Sequence, residues 1–315
     1  MGAADVRTRV ARVGSLTATA ALAALTAACS TAPSTSAGAF GRSRVIEVVA
    51  AENMWGSIAA QLGGDRVHVT DIIDSPAADP HDYEPTAADG RDIASADVVL
   101  ANGIGYDTWA TQLAAANPNP ARIDLTVGDV LGVADDSNPH RWYDPAAVQQ
   151  VAGHLTTAYQ RLDPADAAYF AAQAARFAGP ATAAYRRVVH DIRTRYAGTA
   201  VGASESIVAM AVPALGLDLV TPTGFLQAVS EGTDPTAADN ATIDEQIRSR
   251  AIKVYVYNAQ NATPDIQRQV DEARSAGIPV TAITETLVPP TVTWQQWQTE
   301  QLVALQAALA KATGR

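Results

Sequence analysis

From residue 44 onward the chain alternates between two hydrophobic patterns. Short runs rich in β-branched residues stand at 45–49, 67–73, 98–100, 200–203, 217–220, 253–257 and 278–283. Longer stretches carry apolar residues every three or four positions, at 54–62, 87–95, 106–116, 207–215, 242–249, 264–276 and 294–312. The first pattern predicts buried strands and the second predicts helices. Thr86 is placed to cap the helix at 87–95, and Asp144 with Pro145 opens another on which Val148, Val151 and Leu155 share a face. Strands that alternate with helices form parallel sheets covered by those helices.

One segment breaks the alternation. Asp163-Pro164 opens an Ala-rich helical stretch that runs to about Tyr196, with Gly179-Pro180 in its middle predicting a kink or break. The expected fold is therefore α/β: two lobes of mostly parallel sheet with flanking helices, 44–162 and 198–315, bridged by a long helical segment, 163–197. Roughly 270 residues suit two domains of ordinary size.

The first 43 residues are of another kind. Arg7, Arg9 and Arg12 precede an uncharged Ala/Leu-rich stretch that ends in Thr26-Ala27-Ala28-Cys29. That stretch is short for a bilayer span and ends in small residues, which reads as an export signal over 1–28. A Cys directly after the small residues resembles the bacterial lipobox, which makes Cys29 the expected lipidation site. It is the sole Cys of the chain, so no internal disulfide forms. Residues 29–43, rich in Ser, Thr, Ala, Gly and Pro, bury too little apolar surface to fold and read as a flexible tether. The expected location is the outer face of the cell membrane, held there by lipid.

Removing residues 1–28 takes away three Arg and one Asp, and moves the formal net charge from −11 to −13. So acidic a chain is a poor partner for nucleic acid and favours cations as ligands.

Two loops in the first lobe each place a Pro before a His: Asp79-Pro80-His81-Asp82-Tyr83-Glu84-Pro85 and Asn138-Pro139-His140-Arg141-Trp142-Tyr143-Asp144-Pro145. Proline restricts the backbone, so each loop presents its imidazole with little entropy left to lose. In open parallel sheets ligands bind beyond the carboxyl ends of strands. Glu205 directly follows the strand at 200–203, and Glu285 directly follows the strand ending at Ile283. Two imidazoles and two carboxylates suit manganese, iron or zinc, and the carboxylates cancel the charge of a divalent ion. His68, His154 and His190 fall on strand or helix positions that read as solvated or structural. Gly103-Ile104-Gly105 lacks the third Gly of a dinucleotide loop. Trp294 and Trp297 lie three apart on one helix and read as packing anchors.

The two histidine motifs resemble those of the zinc/manganese ABC-transporter solute-binding lipoproteins, the TroA-like metal receptors. The similarity extends to Ala96-Asp97-Val98-Val99-Leu100-Ala101-Asn102-Gly103 and to Glu231-Gly232-Thr233 with Asp234-Pro235. It implies a metal site in the interlobe cleft made of His81, His140, Glu205 and Glu285. One divalent ion would be the transported ligand, manganese before zinc, with iron(II) after them. The implied partners are an ABC permease and its ATPase, with the receptor a monomer and not an enzyme. Glu205 matches the manganese-type members, where zinc-type members carry His. Glu285 departs from the usual Asp by one methylene, and the stretch 127–138 lacks the His-rich loop of many zinc-type members. Two other functions remain compatible with the residues: a metal-dependent hydrolase, whose ion would keep a position open for water, and a surface adhesin.

Overall fold

The computed structural model describes residues 44–78 and 83–315. The export signal and tether expected over 1–43 lie outside the described residues. The first sheet is built from β1 (Ile46–Glu52), β2 (Val67–Ile73), β3 (Val98–Ala101) and β4 (Ile123–Thr126) in the order β2-β1-β3-β4, all parallel. Its helices are α1 (Asn53–Gly63), α2 (Ala87–Ser95), α3 (Thr108–Ala116) and α4 (Val127–Leu131). Then follow α5 (Pro145–Leu162), α6 (Ala167–Arg176) and α7 (Ala183–Tyr196). The second sheet repeats the first in topology. Strands β5 (Ala200–Ala203), β6 (Asp218–Leu219), β7 (Val254–Asn258) and β8 (Val280–Ile283) run parallel in the order β6-β5-β7-β8. Helices α8 (Ile207–Leu215), α9 (Thr223–Ser230), α10 (Ala237–Arg248), α11 (Pro264–Ser275) and α12 (Trp294–Thr313) complete the chain. No described helix is long and apolar enough to cross a membrane.

The helix starts follow local chemistry. Thr86 and Asp89 form a capping box at α2, as Thr293 and Gln296 do at α12, and Asp144 caps α5 with Pro145 in its first turn. Between α6 and α7 the chain forms one π-helical turn, Phe177–Ala181, with Pro180 inside it. Proline removes a donor, and other groups satisfy the carbonyls there. Thr182 Oγ1 donates to Phe177 O at 2.9 Å, and the Arg186 guanidinium donates to Ala178 O and Gly179 O. The expected kink is thus a continuous helical path with a local bulge.

One apolar core runs through both sheets. Trp55, Trp142, Tyr159, Phe177, Trp294 and Trp297 are all buried in it. The two Trp of α12 anchor packing, as expected from their spacing, and each indole N–H finds an acceptor: Trp142 O at 3.0 Å and Thr284 Oγ1 at 2.8 Å. Polar contacts tie the halves together. Asn53 Oδ1 accepts from Leu287 N at 3.1 Å, Ser57 Oγ from Trp294 N at 2.9 Å, and Tyr143 Oη donates to Thr284 O at 2.7 Å.

On β2, Asp71 turns its carboxyl toward α1, where only Gly56 leaves room: a Cβ there would stand 1.6 Å from Asp71 Oδ1. Burial first, then Asp74, pushes this carboxyl up to about 6. A raised carboxyl contributes stability below its unfolded value and loses it as pH climbs through the folded one. Stability should therefore fall between about pH 4 and pH 7 by roughly 1–3 kcal/mol on account of Asp71. Urea unfolding of Asp71→Asn should lack that part of the pH dependence and give a higher midpoint at pH 7. A variant whose pH profile parallels the wild type would contradict this.

Candidate metal centre

In a parallel sheet every carboxyl end lies on one edge, so the residues just past β5, β7 and β8 gather there. Glu205 lies two residues past β5, Asn258 ends β7, and Glu285 lies two residues past β8. His140 joins them from the loop before α5. One ligand atom each of His140, Glu205 and Glu285 lie within 4.8 Å of one another. All three residues are at most 9 % exposed. His81 and Cys29 lie outside the described residues.

Neighbours fix the imidazole. Asn102, just past β3, donates through Nδ2 to Pro139 O at 3.0 Å, while its Oδ1 accepts from the Trp55 indole at 2.9 Å. Asn138 donates to Ser206 O at 2.8 Å, which turns its Oδ1 toward His140. That oxygen accepts from the His140 backbone N–H at 3.0 Å and lies 2.9 Å from Nδ1. The Nδ1 of a neutral imidazole must then carry the proton, and its Nε2 presents a lone pair, the form that binds metals. Tyr106 and Trp142 stand edge-on to the ring, at centroid distances of 6.0 and 5.3 Å.

The carboxylates share a partner. Asn258 Nδ2 donates to Glu205 Oε2 at 2.6 Å and to Glu285 Oε1 at 2.7 Å. Tyr106 Oη donates to Glu285 Oε2 at 3.0 Å from the opposite half of the chain. Burial foremost, and then the charge of Glu285, pushes the Tyr106 hydroxyl well above the usual tyrosine range, so it remains a donor. The loop that carries Tyr106 is unusual: Gly103, Ile104 and Gly105 all adopt positive φ, a costly conformation for a β-branched residue. Asp107 holds it by accepting from Asn102 N and Gly103 N at 2.6 and 2.7 Å. Gln260 shapes the loop of Glu285, its Oε1 accepting from Glu285 N and Thr286 N at 2.6 and 3.0 Å.

Two carboxylates in a buried place repel, and the cost of bringing them together is offset by a cation between them. The donor set of one imidazole nitrogen and carboxylate oxygens suits a divalent first-row metal. The other described histidines, His68, His154 and His190, stand apart from it. His68 pairs with Glu47 at 2.9 Å on the surface, His154 Nδ1 lies 3.0 Å from Gln150 O, and His190 lies 3.5 Å from Thr194 Oγ1.

Asn102, Tyr106, Asn258 and Gln260 were not singled out in the sequence. An Asn or Gln at a strand end reads as an ordinary turn residue. The parallel-strand rule offered a signal, since Asn258 ends its strand beside those that deliver Glu205 and Glu285.

A two-lobed α/β chain of parallel sheets, with imidazole and carboxylates converging from both halves, defines a class of metal-binding receptors. The chain belongs to the family described as zinc-uptake complex component A, periplasmic, whose model matches residues 48–308, and is a TroA-like metal receptor. Among curated relatives, the manganese-binding lipoprotein MntA of Halalkalibacterium halodurans is 26 % identical over 132 residues, 41 % of this chain and 44 % of that one. The iron-binding protein YfeA of Yersinia pestis is 32 % identical over 123 residues, 35 % of this chain and 37 % of that one. The matched stretches thus span less than half the length of these relatives. Among solved structures, the Mn-bound periplasmic metal binding protein from Candidatus Liberibacter asiaticus has the same fold. Its TM-score is 0.71 at 19 % identity, over 84 % of this chain and 99 % of that one. FpvC of P. aeruginosa, in complex with Ni2+, gives 0.70 at 18 % identity, over 86 % and 99 %.

Proposed function

We propose that this chain is the extracytoplasmic solute-binding protein of an ABC importer, which captures one divalent transition metal ion and hands it to a permease driven by its ATPase. The observation that carries the reading is the convergence of His140, Glu205 and Glu285, with ligand atoms within 4.8 Å. His81 is the fourth ligand, on the strength of its motif. The site lies in the cleft between lobes 44–162 and 198–315, which 163–197 bridges. The names of the relatives support a metal as ligand: manganese for MntA and iron for YfeA. Manganese stands first here, because Glu205 occupies the place where zinc-type members carry His; zinc and then iron(II) follow. Zinc nonetheless binds at least as tightly in vitro, since affinity at N/O sites rises from manganese to zinc. The chain binds and releases its ion without catalytic turnover.

Uptake in a host deleted for this chain tests the reading. Manganese accumulation should fall and return with the wild-type chain but not with His140→Ala. Normal manganese uptake with failed zinc uptake would overturn the metal order, and normal uptake of both would overturn the function.

Residues 1–28 direct export and 29–43 tether the folded part to a lipid on Cys29. Cys29→Ser should move the protein from the membrane fraction into the medium or soluble fraction. A variant that stays membrane-bound at wild-type levels contradicts the anchor.

A further inference from the structure

Ser206 stands just before α8, where a serine hydroxyl ordinarily caps the helix, yet its side chain makes no capping bond. The hydroxyl is turned elsewhere. Ser206 Oγ lies 2.6 Å from Ser230 Oγ and 3.3 Å from His140 Nδ1, and Ser230 Oγ also accepts from Ser206 N at 3.2 Å. The Ser206 carbonyl reaches the same loop, accepting from Asn138 Nδ2 at 2.8 Å. That bond holds Asn138 Oδ1 at 2.9 Å from His140 Nδ1. With the Ser206 hydrogen directed at Ser230, Nδ1 faces two oxygen acceptors, Asn138 Oδ1 and Ser206 Oγ. The other tautomer would set its Nδ1 lone pair against both. These contacts cross between halves of the chain: Asn138 and His140 precede α5, while Ser206 follows Glu205 at the head of α8.

We propose that Ser206 is a positioning residue for His140: from the second half of the chain it fixes the tautomer and tilt of the imidazole, and so sets how long the ion stays bound. This rests on the metal reading above and adds a partner for one of its ligands. Acceptors on the Nδ1 proton fix the ring and raise the basicity of Nε2, which strengthens its bond to a metal. Asn138 supplies one acceptor from the same loop as His140. Ser206 supplies the other, and its carbonyl ties that loop to the segment that carries Glu205. If residues 138–140 part from the head of α8, both Ser206 contacts go at once. The Asn138 amide can then rotate, and the imidazole can change tautomer. Loss of these contacts and loss of the ion are thus one event, and the Ser206 hydroxyl acts mainly on the rate of release.

The test uses the purified chain loaded with zinc(II) or manganese(II) and mixed with excess chelator. Ser206→Ala removes the hydroxyl. Because that hydroxyl caps no helix, the melting temperature of the metal-free chain should stay near wild type. Release of either ion should be roughly 10-fold faster, the low end of the range for losing an outer-shell partner, because Asn138 remains. Ser206→Thr restores a hydroxyl and should slow release again. A second readout needs no metal: with nitrogen-15 in the histidines, the ring-nitrogen shifts report which nitrogen carries the proton. His140→Ala identifies the His140 signals by their absence. Wild type should show His140 protonated at Nδ1, and Ser206→Ala should shift it toward the other tautomer. A Ser206→Ala chain that releases its ion at the wild-type rate, or keeps the wild-type His140 signals, overturns the proposal. Fast release that Ser206→Thr leaves unchanged overturns it as well. A wild-type chain that binds neither ion overturns the metal reading, while the ring-nitrogen signals still decide whether Ser206 orients the imidazole.

Discussion

A chain carrying His140→Ala is expected to show no metal-induced rise in melting temperature. The imidazole is fully buried, and Asn138 aligns it so that its Nε2 lone pair is the donor offered. Alanine leaves a hole where a directional nitrogen stood, and water entering it is a weaker, unanchored donor. Because the proposed ligands come from both halves of the chain, binding through them would join the halves and stabilise the folded state by linkage. That gain is about 4 kcal/mol when free metal exceeds Kd by about a thousandfold. Thermal melting of wild type and variant, each with and without excess zinc or manganese, reads the effect. A variant that keeps the wild-type shift would remove His140 from the site.

Trp142→Ala should have the largest effect on stability itself. Trp142 is fully buried and meets the rings of Trp55, Tyr106, His140 and Tyr143. Its carbonyl accepts from the indole of Trp294. Truncating so large a core side chain costs about 3–5 kcal/mol. The cavity also unseats His140, so metal affinity should fall together with the urea midpoint. Trp142→Phe should be much milder. The indole N–H of Trp142 has no hydrogen-bond partner among the described residues, so phenylalanine gives up volume but also removes a buried, unsatisfied donor. Equal losses for the two substitutions would show that the aromatic ring is not what supports the site.

Fold class was legible because parallel strands buried on both faces read as continuous apolar runs, as in Val98–Ala101 and Val254–Asn258. Three elements escaped that reading, one of them the five-residue helix α4, Val127–Leu131. Strand β4 has four residues, Ile123-Asp124-Leu125-Thr126, too few for a periodicity to emerge. Helix α9 opens Thr223-Gly224 after a proline, a weak local start, and forms because Phe225, Leu226 and Val229 bury against the core. The helix expected at 106–116 begins at Thr108. Tyr106 is instead held in the loop that the left-handed Gly103–Gly105 turn and Asp107 create. The candidate ligands were legible where a motif or a strand end marked them, as for His140, Glu205 and Glu285. The groups that orient them were not. The pairing of Asn102 with Pro139, of Asn258 with two carboxylates, and of Tyr106 with Glu285 exists only once distant segments meet.

One divalent ion is expected to bind where these segments meet. Crystals of the chain grown with manganese or zinc, and measured at the absorption edge of that metal, test it most directly. The expected result is a single strong anomalous peak about 2.0–2.2 Å from nitrogen or oxygen atoms of His140, Glu205, Glu285 and His81. A peak bound by other residues, or full metal loading with no peak among His140, Glu205 and Glu285, would contradict it.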